Sequence, residues 1–456
     1  MTRVLLASAL AAAVAVGVWA VFFRTSDGSA PESPVAAGAR QHTVTQEPKP
    51  GDPQRPPPPN DDESPPAPRP KGDNPPPPPP PPPGGGNEPG PSPGNAAPHR
   101  LFVGALEDAV KLPEPGLYDQ RVGLATRAGF NMLGVTTQWT PGRTRPAPAE
   151  LRILRGVSAA AKRRRIRLML TVYAPRPRFA PLSDIQQQQY ADFMANLARD
   201  LPGVQDFAVW NEPNLNGFWL YQFDESGRDV AARAYTFLLA RSYDALKSVS
   251  PKIRVYGGSL APRGSDNPGG TRPTHSPSAF IRDMGDAYRA SGRRKPIMDV
   301  FAIHPYLQRS EQPPSKAHPR GTAIGFADYD KLVRLLGKAF DGTAQAGSKL
   351  PIAYTEFGVQ ARIPKRARAL YTNLDSPLGQ DAVDEATQGR YYRQALELAA
   401  CQPTVIAVVF FHLIDEPDLE RWQSGPYYVD LRPKSSLAAI RDAALKARRG
   451  DLVTCS

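Results

Sequence analysis

Between residues 101 and 448 short apolar runs alternate with longer amphipathic ones, eight times over, and few folds accept that pattern. The runs at 101–105, 131–139, 167–173, 204–209, 253–260, 298–303, 352–355 and 404–411 have the length and apolarity of strands. Helical spacing fills 117–128, 148–165, 184–201, 231–249, 278–290, 328–340, 380–400 and 436–448. Strands that are apolar almost throughout belong to parallel sheets covered on both faces. Eight strand-then-helix units therefore predict an α/β chain closed into a (β/α)₈ (TIM) barrel spanning 99–456. An open doubly wound sheet would carry a glycine-rich phosphate turn after an early strand, and the sequence has none. Long segments at 214–229, 261–277 and 308–326 follow strand ends, where barrel sites are built.

The first 98 residues have a different character. Residues 4–23 carry no charged group and follow Arg3, which matches a spanning helix in length. Residues 1–24 are expected to be an uncleaved signal anchor, with a cleaved signal peptide as the alternative. Either places the barrel outside the cytoplasm, at the cell surface or secreted. Most of the 53 prolines lie before residue 100, including an unbroken run from Pro75 to Pro83. Residues 25–98 are thus expected to be a disordered, extended proline-rich spacer. The formal net charge of +12 comes with no nucleic-acid motif, so no nucleic-acid partner is expected. The barrel is expected to be monomeric.

Chemistry points to two strand ends. Asn211-Glu212-Pro213 closes the fourth strand, where proline removes a backbone donor and stops the run. Thr355-Glu356-Phe357-Gly358 closes the seventh, where glycine lets the chain turn away. Paired carboxyl groups are the minimum equipment for cleaving a glycosidic bond. With His304-Pro305-Tyr306 after the sixth strand, these motifs resemble glycoside hydrolase clan A, closest to families 5 and 39. The resemblance covers roughly residues 100–450. It implies a retaining O-glycosyl hydrolase with Glu212 as general acid/base, Glu356 as nucleophile and Asn211 on the sugar 2-hydroxyl. It further implies a hydrogen bond from Tyr306 to Glu356 and a place for His304 on the site floor. The substrate would be a polysaccharide or oligosaccharide. One departure stands out: many cellulase-type members have an arginine in the second strand where Gly134 stands here.

Trp139, Trp219 and Trp422 lie at or beyond strand ends and are candidates for stacking on sugar rings. His412, Glu107 and Asp108 are weaker candidates for the same cleft, while Trp210 is expected to pack the barrel top. The 6 histidines show no metal-binding spacing and only 2 cysteines occur, so no metal is expected, nor any cofactor; no Gly-x-Ser-x-Gly elbow supports a serine hydrolase. The alternative to an enzyme is a non-catalytic carbohydrate-binding barrel acting in surface attachment. Such a barrel would need neither glutamate.

Cys401 and Cys455 are the only cysteines. Cys401 follows the seventh helix and precedes the eighth strand, and the last helix returns the chain to that same N-terminal face of the barrel. A disulfide between them is expected, far from the catalytic rim.

Overall fold

The computed structural model describes residues 99–112, 117–376 and 381–455. The expected anchor (1–24) and the proline-rich spacer (25–98) lie outside these residues. Among the described residues no helix is long and apolar enough to cross a membrane.

Eight strands form the barrel: β1 (Phe102–Leu106), β2 (Met132–Gln138), β3 (Arg167–Tyr173), β4 (Asp206–Val209), β5 (Arg254–Leu260), β6 (Val300–Ile303), β7 (Ile352–Phe357) and β8 (Val405–Phe411). Helices follow in turn: α1 (Leu117–Arg127), α2 (Pro148–Arg163), α3 (Asp184–Asp200), α4 (Ala231–Val249), α5 (Pro277–Ala290), α6 (Tyr329–Phe340), α7 (Glu385–Ala400) and α8 (Leu437–Arg449). Every neighbouring strand pair is parallel, and β8 pairs with β1 to close the barrel. The expected fold is present, with all sixteen elements in the expected order.

Local chemistry sets the ends. Ser183 and Gln186 form a reciprocal capping box at the start of α3, and Pro148 opens α2 where its missing N–H costs nothing. Helix α7 starts at Glu385 and not at residue 380, because Asp384 accepts the backbone N–H of Thr387 and so sets the N-cap. Strand β7 runs on through Phe357, which places Glu356 within the strand.

Side chains alternate between two cores. Leu106, Met132, Met169, Ala208, Tyr256, Ala302, Ala353 and Ala407 form one cluster, filling the barrel interior. The intervening strand residues pack against the helices in the larger cluster. Near the start of β4, fully buried Asp206 takes Arg254 Nε at 2.8 Å and Arg167 Nη2 at 3.0 Å, and also accepts from Tyr256 Oη at 3.0 Å. Three strands are thereby tied by one carboxylate at the barrel's N-terminal mouth.

The chain's described ends meet at that same mouth. His99 N–H donates to Ala400 O and Leu101 N–H to Ala447 O. Cys401 and Cys455 are disulfide-bonded, with Cα atoms 5.5 Å apart and a sequence separation of 54. In the chain-entropy model a loop of that size is worth on the order of 4 kcal/mol. Reduction is expected to lower the thermal midpoint while leaving room-temperature function nearly unchanged. Thermal melts with and without reductant, run beside an assay at 25 °C, check this; an unchanged midpoint would contradict it.

Candidate active site

The tip of β4 is held by more bonds than a loop of its length requires. Trp210 and Glu212 both have left-handed backbones, with φ of 70° and 41°. Non-glycine residues adopt such angles at a cost, and only where the surroundings enforce them. Trp210 supplies part of that enforcement: it is fully buried, packs on Tyr190 and Trp219, and donates its indole N–H to Phe218 O at 3.1 Å. It packs the barrel top, as its sequence position suggests. Glu212 N–H donates to Ser259 O at 2.9 Å across to β5. That carbonyl is presented by a bulge in β5 at Gly258, whose φ is +90° and where a Cβ would stand 2.7 Å from Ala302 O. Asn214 completes the clamp: its amide donates to Ala261 O and His275 O and accepts from Ala261 N–H.

From β6, His304 reaches between the two carboxyl groups. Its Nδ1 lies 2.9 Å from Glu212 Oε1 and 3.6 Å from Glu356 Oε2. Two oxygens at those distances from one atom are no more than about 6.5 Å apart, the lower limit of the spacing in inverting glycosidases. Tyr306 Oη donates to Glu356 Oε2 at 3.3 Å, and its ring is held by Trp422 at 5.2 Å and by Phe411. Asn211 is nearly buried at the β4 tip. Glu212, Glu356, Asn211, His304, Tyr306 and Trp422 are thus gathered at one end of the barrel. Trp422 keeps part of its ring exposed, whereas Trp139 and Trp219 do not: both are fully buried. Trp139 packs edge-on against Tyr190 and donates to Arg143 O; Trp219 packs on Trp210 and Tyr235. These two belong to the core under the loops, which corrects their expected place in the cleft.

Electrostatics separate the two glutamates. Burial raises both pKa values. Glu212 is pushed well above the ordinary value, by burial first and then by the charge of Glu356, with Arg263 opposing. Glu356 is raised by burial to about 8, held there by His412 and by the Tyr306 hydrogen bond. Glu356 is the group that ionises first. Burial also drives His304 down to about 3, so the ring between the carboxyl groups is neutral.

His412, at the end of β8, behaves oppositely. Burial pushes it down, but Glu416 and the charge of Glu107 outweigh this and raise it to about 9. Glu107 does not face a ligand; its oxygens accept from Ala109, Leu413 and Ile414 N–H and tie β1 to the β8 loop. Asp108 accepts from Thr136 and pairs with Lys111.

Some contributors carried no sequence signal. Arg263, from the loop after β5, faces Glu212 while donating to Tyr306 O at 2.9 Å; burial lowers its guanidinium to about 10. Fully buried Lys434 and Asp415, 2.8 Å apart, pin the loop that bears Trp422, and Lys434 also donates to Gln423 O. Neither Arg263 nor the Lys434–Asp415 pair belongs to a motif. At position 134, where the missing arginine would stand, a Cβ would meet Leu106 Cδ1 at 2.9 Å; interior packing has closed that space.

A raised carboxyl pKa means that the folded chain binds a proton the unfolded chain releases. That contribution is absent below the ordinary glutamate value and destabilises increasingly as pH rises through the folded value. Glu212→Gln is therefore expected to raise the thermal midpoint relative to the parent at pH 8–9 and to change it little at pH 4. Paired melts at the two pH values check this, and equal shifts at both would contradict it.

No family model matches the sequence, and no curated protein matches it. Among solved structures, a glucosidase from Croceicoccus marinus matches at TM-score 0.52 and 10% identity, over 77% of this chain and 69% of its own. A GH39 enzyme from Xanthomonas axonopodis pv. citri matches at TM-score 0.47 and 16% identity, over 76% and 67%. An exo-β-1,4-mannosidase from an Opitutaceae bacterium, strain TAV5, matches at TM-score 0.48 and 16% identity, over 79% and 62%. At these identities what the glucosidase shares with this chain is the barrel fold.

Proposed function

We propose that the chain is a retaining O-glycosyl hydrolase of clan A, closest to families 5 and 39, acting on a polysaccharide or oligosaccharide. The observation that carries this is the sharing of His304 Nδ1 by Glu212 and Glu356, which brings two buried carboxyl groups from β4 and β7 within about 6.5 Å. A binding barrel gains nothing from burying two carboxyl groups together. The name of the solved structure matched at TM-score 0.52, a glucosidase, agrees with the reading.

On this reading Glu356, the first to ionise, attacks the anomeric carbon and becomes covalently linked to the sugar. Glu212, kept protonated by burial and by its neighbour's charge, donates its proton to the leaving oxygen. Consumption of the Glu356 charge then removes the repulsion that raised Glu212. Its pKa falls, and it takes a proton from the water that releases the sugar. Glu212 Oε2, buried and without a protein hydrogen bond, is the oxygen available to substrate. His304 orients Glu212 without competing for the proton, since its ring stays neutral. Asn211 would bond the 2-hydroxyl and Trp422 would offer an aromatic wall.

Glu356→Gln is expected to abolish turnover, and Glu212→Ala to slow poor leaving groups most, with partial rescue by azide. A product first formed with inverted anomeric configuration in proton NMR would refute the mechanism. The profile of kcat/KM should rise with pH as Glu356 ionises, above the ordinary range near 4.5 and toward about 8. It should fall at higher pH as Glu212 loses its proton, and Glu212→Ala should remove that falling limb. An optimum at pH 4–5 would contradict the burial effect.

The same proposal places the barrel outside the cytoplasm, tethered through residues 4–23 and held off the membrane by the spacer. It is supported by the apolar run itself and by the disulfide, which persists in oxidising compartments. Some 65 spacer residues in polyproline II reach on the order of 200 Å. Cell fractionation is expected to find the chain in the membrane with a protease-accessible barrel. A mature N-terminus near residue 30 in culture supernatant would replace the anchor with a cleaved signal.

A further inference from the structure

The loop after β4 and the loop after β5 meet over the N-terminal ends of α4 and α5, away from the two glutamates. Asp229 precedes α4, and its Oδ1 accepts Ala232 N–H at 2.9 Å. His275 precedes α5, and its backbone is bound in both directions to Asn214. Asp283 lies on α5 itself. One ligand atom from each of the three lies within 4.8 Å of the other two. His275 Nε2 is 3.3 Å from Asp229 Oδ1 and 3.0 Å from Gln222 O.

We propose that Asp229, His275 and Asp283, with the carbonyl oxygen of Gln222, bind one divalent first-row cation, Zn²⁺ or Mn²⁺, which staples these two loops together. The sequence shows no sign of this, because the three residues follow no ligand spacing; the expectation of no metal site rested on spacing alone. The proposal holds whether or not the barrel hydrolyses glycosides.

Three observations carry it. The first is edge length. Ligands at about 2.0–2.2 Å from one ion stand about 3.0–3.4 Å from each other, and the contacts of His275 Nε2 fall in that range. The second is an orphan. The Asp229 side chain is 9% exposed, and its Oδ2 is buried with no hydrogen-bond partner. Such an oxygen costs stability unless a donor or a cation answers it. An imidazole N–H shared between Gln222 O and Asp229 Oδ1 accounts for the two short distances, and without a cation the Asp229 carboxylate is otherwise answered only by a proton shared with Asp283, which the ion would displace. The third is access. A surface cleft of about 670 Å³, bordered by Asp229, Asp283, Asp286 and three arginines, gives a hydrated ion a way in.

Arg282 forks onto Asp283 at 2.6 and 2.9 Å, which neutralises that carboxylate in part. A carboxylate has about four lone-pair directions, so Asp283 can keep the arginine and still ligate. One imidazole with oxygen donors suits Zn²⁺ or Mn²⁺ better than Ca²⁺, which prefers an all-oxygen shell. The ion would join Gln222 and Asp229 of one loop to His275 of the other, reinforcing the Asn214 clamp beside Glu212.

The test uses the full-length chain, stripped with a chelator and desalted. Zn²⁺ is titrated by calorimetry, and Mn²⁺ by loss of the free-ion paramagnetic signal. One ion per chain is expected from each, with Zn²⁺ binding more tightly. At a hundredfold excess over Kd the ion should raise the thermal midpoint by about 4 °C. Asp283→Asn sits on a partly exposed helix face, and Asp229→Asn keeps an oxygen for the Ala232 cap. Each is expected to fold and to weaken binding at least about tenfold, by analogy with the loss seen on removing even indirect support. Wild type without a saturable single site, or both variants binding as tightly as wild type, would overturn the proposal.

Discussion

His304 stands between two buried carboxyl groups and orients them, and the chemistry of the site depends on its staying neutral. Its position follows from the barrel: β6 adjoins β7, which delivers Glu356, and stands one strand from β4, which delivers Glu212. An imidazolium there would pair with both carboxylates and keep them ionised. Burial forbids it, so the ring stays neutral and the carboxyl groups are left to settle the proton between themselves. Positive charge lies instead at His412, which acts on Glu356 and is sustained by Glu416 and Glu107, and at Arg263, which faces Glu212. One neutral and one charged histidine, on β6 and β8, thus make the two glutamates unequal.

Much of this was legible in sequence because barrel architecture is periodic. Apolar runs followed by amphipathic ones locate strands and helices whatever the tertiary contacts, and the ends err by only a few residues. Where they err, the reason is local, as with Asp384 capping α7 five residues beyond the expected start. Glu212, Glu356, His304 and Tyr306 were legible because each sits in a short motif at a strand tip. The tryptophans were not equally so. A strand-end position says that a side chain is near the barrel mouth but not which way the loop turns it, and Trp139 and Trp219 turn inward. Arg263, the Lys434–Asp415 pair and the meeting of Asp229 with His275 depend on how separate loops fold onto each other, and no local pattern records that.

The same distinction governs where polar groups are satisfied. At the N-terminal mouth Asp206 has partners on both flanking strands, and the disulfide and terminal hydrogen bonds close the chain on itself. At the C-terminal mouth Glu212 Oε2 and Thr355 Oγ1 are buried without a hydrogen bond. These sit on the tips of β4 and β7, and the left-handed backbones of Trp210 and Glu212 lie beside the first. Unanswered polar atoms and strained dihedrals both cost stability, and a chain selected for stability alone would answer or delete them. At the other mouth the disulfide, the terminal hydrogen bonds and the Asp206 ion pairs contribute stability that offsets this cost, although Arg254 Nη2 there is itself buried without a hydrogen bond. The bonds that look structural in the β4 tip, the β5 bulge and the Asn214 clamp belong to the site as much as the glutamates do: without them the strained conformation of Glu212 would relax, and its carboxyl group would leave His304.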